Sequence, residues 1–166
     1  MSTDPDHRPP VGPADLRAFA GSFATGVIVL TTTDGNGQDY GLTMNAVTCV
    51  CLDPPLFLAC VDKDSATLTA LIESGVFALN ILARDQDDVS TVFARKGNDK
   101  FADLAVARGS LGVPLIEGGL AAAEFRVRET HEAGDHVIVI GEAVSTRIAD
   151  GAPLLYFRSR YGGLHD

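Results

Sequence analysis

Apolar positions along this chain fall mostly in short runs and alternations bounded by Gly, Pro and Asp, so strands are expected to outnumber helices. Leu16, Phe19, Ala20 and Phe23 recur at helical offsets, predicting a helix over 15–23 with one face packed on the body. The β-branched run Val27 to Thr33 predicts a strand, and Asp34-Gly35-Asn36-Gly37 supplies the positive-φ residues of a hairpin leading into the next. That strand should run from Gly41 until Pro54-Pro55 denies it ladder donors. Leu56 to Val61 is short and continuously apolar, which predicts a strand buried on both faces.

Ser65 is placed to N-cap a helix with Leu68, Leu71 and Ile72 as its apolar stripe, and Gly75 falls where a left-handed residue ends such helices. A strand over 76–82 follows. Residues 85–108 are richer in charge and read as short helices anchored by Val89, Val92, Phe93, Phe101 and Leu104. Beyond several Gly and Pro breakers, Ala121 to His131 and His136 to Thr146 form a hairpin, and Leu154 to Phe157 makes a last strand. Strands joined mainly by hairpins favour a mainly β fold with a few helices, an antiparallel barrel, over a doubly wound parallel sheet.

The chain has 166 residues, 46% of them hydrophobic, enough for one self-sufficient core. Residues 1–14 begin polar and Pro-rich, unlike a signal peptide, and read as a disordered tail before a single domain over 15–166. A net charge of −9 with scattered Lys and Arg argues against nucleic-acid binding. The absence of a long apolar run argues against a membrane span. Cys49, Cys51 and Cys60 lack metal or redox spacing and read as buried, inert thiols of a cytoplasmic protein. His7, His131 and His165 do not form a metal-binding pattern with the remaining histidine, so no metal is expected. Gly35-Asn36-Gly37 lies between strands, so no dinucleotide glycine fingerprint is present.

Three places carry candidate chemistry. Thr43, Asn45 and Thr48 put short hydrogen-bonding groups around the flat Ala46, a surface suited to a polar-edged heteroaromatic ring or, equally, to a solvent-facing strand edge. Asp62-Lys63-Asp64-Ser65 before a helix suits a phosphate, or is an ordinary cap beside a solvated lysine. His136 follows Gly134-Asp135 at the start of a very apolar strand, as a ligand contact or a plain turn histidine.

Together, Phe23-Ala24-Thr25-Gly26-Val27, the run Gly41 to Leu56, Asp62 to Ser65, Phe93-Ala94, Gly134-Asp135-His136 and the run Leu154 to Tyr161 resemble the short-chain flavin reductase family, in order across 15–164. The resemblance implies an FMN-binding split β-barrel, commonly a homodimer, that passes hydride from NADH or NADPH to FMN or FAD and supplies reduced flavin to a partner monooxygenase. It also implies that Thr43, Asn45, Ala46, Val47 and Thr48 line the isoalloxazine and ribityl chain, with Cys60, Lys63 and Ser65 near the ribityl and phosphate groups. Phe93 and Arg95 would complete the pocket, His136 would seat the nicotinamide as the catalytic-site residue, and Tyr161 would stand near the same cleft. Val47 replaces a common aromatic, and Cys49 and Cys51 replace common serines, which leaves open how tightly flavin is held. A flavin carrier without turnover and an FMN-dependent oxidase of a related split-barrel group are the alternatives.

Overall fold

A computed structural model describes residues 9–97 and 99–164. The expected tail lies mostly outside these residues, as do His7 and His165. Among the described residues the chain forms twelve strands and three helices.

The first helix, α1 (Pro13–Gly21), starts earlier than predicted because Pro13 suits the first helical position, where no backbone donor is needed. None of its residues is buried. The expected packing of its apolar face on the body is not observed: Leu16, Phe19 and Phe23 are 56%, 78% and 75% exposed.

After β1 (Thr25–Gly26), β2 (Ile28–Thr33) runs through the middle of the molecule. Its successive side chains feed two cores, Ile28 and Leu30 on one face, Val29 on the other. The turn into β3 (Asp39–Met44) is set by Asp34, whose Oδ1 accepts from the amides of Asn36 and Gln38 at 2.9 Å each.

The stretch read as one strand from Gly41 is two. Backbone pairing stops at Asn45 and Ala46, and β4 (Val47–Leu52) pairs with β5 (Pro55–Asp62) instead of continuing beside β2. The chain must leave one sheet edge and join the other at this point, a demand of closure that the local sequence does not express.

Helix α2 (Ala66–Ser74) is capped as predicted, Ser65 Oγ accepting from the Thr67 amide at 3.2 Å and Gly75 ending it at φ 69°. It buries Thr67, Leu68, Ala70 and Leu71, while Ile72, expected in the buried stripe, is 48% exposed. Then follow β6 (Val76–Ile81), α3 (Asp87–Ala94), β7 (Val106–Arg108) and β8 (Pro114–Ile116), the long hairpin β9 (Ala121–Ala133) with β10 (His136–Ile148), and β11 (Leu155–Phe157) with β12 (Arg160–Gly162). The described residues of 85–108 thus hold one α-helix, not several, and Val92 faces outward.

The seven-stranded antiparallel sheet has the order β3-β2-β6-β9-β10-β5-β4. Its two edge strands, β3 and β4, are consecutive in the chain, so Asn45-Ala46 bridges the gap between edges of an incompletely closed barrel. The barrel core gathers Leu30, Leu71, Phe77, Phe125 and Val139, with Phe77 and Phe125 stacked at 5.0 Å. The strand β5, expected to be buried on both faces, buries only Ala59 and Val61 fully. A second cluster of Val27, Val29, Leu82, Phe93, Ile116 and Leu154 packs on the outer face of β2. The small sheet β1-β11-β12 stands against the split.

Candidate active site

The split opens into a cleft of about 520 Å³, within the range of sites that bury most of a cofactor-sized ligand. Eight of the twelve residues singled out in the sequence line it: Thr43, Asn45, Ala46, Cys60, Ser65, Phe93, Arg95 and His136.

One wall is the end of β3 and the crossing to β4. Thr43 Oγ1 donates to the Ser90 carbonyl at 2.6 Å, and Asn45 Nδ2 donates to Thr25 Oγ1 at 3.0 Å. The Cys60 amide donates to Ala46 O at 2.9 Å, closing the first rung of the next strand pair. The wall is therefore tied to α3, β1 and β5 at once.

The floor depends on a close approach. Gly41 lies so near Phe93 that an added Cβ would stand 2.7 Å from the ring, and Phe93 is 1% exposed. Phe101 meets Phe93 edge-on at 4.9 Å.

Opposite lie three cations, Arg95, Lys96 and Lys100. Lys100 Nζ donates to Gly41 O at 2.9 Å and to Phe93 O at 3.1 Å, so the ammonium is fixed at the C-terminal end of α3, where a cation is favoured. Burial pushes its pKa below the ordinary lysine value. Two of its three N–H groups are spent on carbonyls, leaving one for a ligand.

At the far end, His136 pairs in register with Asp62 of β5. Its Nδ1–H donates to Asp135 Oδ1 at 2.7 Å, which turns Nε2 into the free ring nitrogen. The His136 bond in turn holds the Asp135 carboxyl below its usual range. Where β3 begins, Asp39 is occupied by Arg108 through bonds of 2.7 and 2.6 Å, and this pairing raises the Arg108 pKa.

Four expected residues stand elsewhere. Lys63 sits at the outer rim, its Nζ 2.9 Å from Glu132, whose carboxyl that contact holds low. Val47 packs against the barrel core, and Thr48, on the opposite face of β4, is exposed. Tyr161 lines a smaller chamber behind the wall. The thiols are not buried as expected: Cys49 is exposed and Cys51 half-buried because β4 is an edge strand, and Cys60, on the inner strand β5, is half-buried where it lines the cleft. Lys96 and Lys100 were missed. They lie in a charged stretch whose relation to the split becomes visible only when α3 packs on β3.

Against known families, residues 20–165 match the flavin reductase like domain. The chain belongs to this family. The flavin reductase (NADH) of Kitasatospora aureofaciens is 42% identical over 148 residues, covering 87% of this chain and 78% of that protein. The reductase component of the flavin-dependent trigonelline monooxygenase of Acinetobacter baylyi is 40% identical over 147 residues, covering 89% of this chain. The chain spans about half the length of the latter, 47%, and 48% of a relative from Rhizobium meliloti. Among solved structures, the NADH:FAD oxidoreductase SgcE6 of Streptomyces globisporus superposes with a TM-score of 0.87 at 31% identity, covering 96% of this chain and 98% of that one. This flavin reductase-like domain thus has the split-barrel fold expected from the sequence. Among its described residues no helix is long and apolar enough to cross a membrane.

Proposed function

We propose that this chain is an NAD(P)H:flavin oxidoreductase that passes hydride from NADH or NADPH to FMN or FAD and supplies reduced flavin to a partner monooxygenase. The observation that carries this is the pairing, in one cleft, of a flat amide and hydroxyl wall with three cations, of which Lys100 is held in place by two carbonyls. A flavin fits that donor set. Its ring edge needs acceptors and donors at the wall of Thr43, Asn45 and Ala46, and its phosphate needs cations and amides, which Arg95, Lys96, Lys100, Ser65 and the start of α2 present. The flavin reductase relatives named above act in the same sense. The proposed unit is the single domain 15–166, in the cytoplasm.

A flavin held by these residues would supply a ring able to take up the hydride's two electrons and pass reducing equivalents onward. The chain's own contribution is placement. Phe93 and Ala46 limit where a ring can lie, and Lys100 sets a fixed positive charge at the cleft floor. His136 offers Nε2 at the open end, where a nicotinamide carboxamide can be received, and the short distance so enforced is the main source of rate.

Purified protein mixed with NADH or NADPH and either flavin under air should consume the nicotinamide absorbance only when flavin is present. His136→Ala should raise KM for the nicotinamide by about tenfold while the flavin Kd stays within about twofold. No flavin-dependent consumption by the wild type would end the reductase reading, and equal losses in both constants would remove His136 from its role. A protein that stays yellow through desalting yet ignores nicotinamides would instead be a carrier or an oxidase.

We further propose a homodimer. A nine-residue helix is unstable by itself, and α1 leaves Leu16 and Phe19 exposed, as are Phe23 just beyond it and Val50 and Leu52 on the edge strand β4. Light scattering on the eluting protein should give twice the chain mass of 17.4 kDa. Phe19→Asp with Phe23→Asp should return it to the monomer mass, and an unchanged mass would place the interface elsewhere.

A further inference from the structure

Ser90 lies in α3 with no exposed surface, and both of its polar ends serve other parts of the molecule. Its carbonyl accepts the Thr43 hydroxyl at 2.6 Å, and its Oγ lies 2.8 Å from the Tyr161 hydroxyl. Thr43 belongs to the wall of the cleft, and Tyr161 to the small sheet beyond it. These residues, with Val27, Met44 and Asn45, line an open pocket of about 200 Å³ behind the wall. Thr43, Met44 and Asn45 face both spaces, so the wall is one strand thick.

Such a wall keeps its shape only if it is held from behind. One strut is Asn45 Nδ2 to Thr25 Oγ1, with Thr25 paired to Tyr156 in the small sheet. The other passes through Ser90. The Ser90 hydroxyl is fully buried and costly to leave without a partner, and the half-exposed Tyr161 hydroxyl supplies that partner. The Thr43 contact has a chemical consequence too. Its only hydroxyl proton is committed to the Ser90 carbonyl, so Thr43 turns lone pairs, and no donor, toward the cleft.

We propose that Ser90 is a positioning residue for the flavin site: its hydroxyl pins Tyr161 and the C-terminal hairpin behind the wall that its carbonyl ties to Thr43. This rests on reading the cleft as a flavin site. Ser90 touches no ligand in this assignment and acts through Thr43 and Tyr161.

The test is titration of FMN and of FAD fluorescence against the purified full chain, wild type, Ser90→Ala, Tyr161→Phe and the double variant, with a thermal melt of each. Each single variant should raise Kd by about fivefold, the worth of one hydrogen bond. The double variant should match the singles within about twofold, because both remove the same bond. Kd values unchanged from wild type, or effects that multiply to about 25-fold in the double variant, would overturn the assignment. A fall in melting temperature without a change in Kd would likewise make the link purely structural. If Ser90→Ala does not fold, Tyr161→Phe decides alone, since Tyr161 is 40% exposed and its ring remains. A wild type that binds neither flavin would end the reading of the cleft itself, and the Ser90 proposal with it. A wild type that binds while the variants match it would end only the Ser90 proposal.

Discussion

Replacing Gly41 with valine is expected to weaken flavin binding by at least about tenfold and to destabilise the fold by about 1–3 kcal/mol. Gly41 sits in β3 opposite Thr31, and a Cβ there would meet Phe93 at 2.7 Å and the Leu30 carbonyl oxygen at 3.0 Å. Phe93 is 1% exposed and bounded by Phe101, so the side open to its ring is the cleft itself. The contact also lies between the two carbonyls, Gly41 O and Phe93 O, that hold the Lys100 ammonium, so backbone adjustment made to relieve it disturbs those acceptors. The substitution thus strikes the floor and the fixed charge of the cleft together. Fluorescence titration and thermal melting read the two effects, and Gly41→Ala should show smaller versions of both. A valine variant with a flavin Kd within twofold of wild type would show that the Gly41–Phe93 approach does not shape the site.

This glycine illustrates what the sequence reveals and what it withholds. Thr43, Asn45 and Thr48 were legible as a group because a strand with hydroxyls and an amide at those positions departs from ordinary core patterning, although Thr48 is exposed and away from the cleft, and the close approach at Gly41 was not read. Their partners were not. Lys100 and Ser90 come from a charged stretch about fifty residues further on, and only the packing of α3 against β3 brings them to the wall. Lys63 shows the converse. Its place before a helix N-terminus suggested a phosphate contact, but the β9–β10 turn puts Glu132 within 2.9 Å and draws the side chain to the rim.

The fold divides along the same line. Elements with their chemistry in neighbouring residues were read well, such as the Asp34 turn, α2 between Ser65 and Gly75, and the hairpin around Gly134. The break at Asn45-Ala46 carries no Gly or Pro and follows from two distant sheet edges claiming successive pieces of chain. Periodicity likewise groups residues on a face without saying what covers it. Leu16, Phe19 and Phe23 share a helical spacing and remain exposed in the single chain, and Ile72 falls just past the edge of the buried stripe of α2.

Glu124 is the position where alternation is most misleading, and it yields the second large prediction. It lies among apolar neighbours in β9, is 2% exposed, and is paired across to Ala78 and Ser145. Its carboxylate accepts from the Ser110 amide at 3.0 Å, the Ser110 hydroxyl at 2.9 Å, the Leu111 amide at 2.7 Å and the Ser145 hydroxyl. Burial by itself would push the carboxyl pKa up. The bonds from Ser145, Leu111 and Ser110 outweigh it and hold the group below its usual 4.5. Glu124→Gln keeps the shape but turns an NH₂ toward groups that are themselves donors, stranding at least one of them. The expected loss is about 3 kcal/mol at about pH 7, a fall of about 6–12 °C in melting temperature. A folded-state pKa below the unfolded one stabilises fully above the unfolded carboxylate range, and that stabilisation fades as pH falls through the folded value. The gap between wild type and Glu124→Gln should therefore narrow as melts are taken from about pH 7 to about pH 3. The flavin Kd of folded Glu124→Gln should match wild type, because the carboxylate anchors the 109–113 loop and lies outside the cleft. A gap that stays constant or widens on acidification would mean that the charge on Glu124 is not what holds that loop.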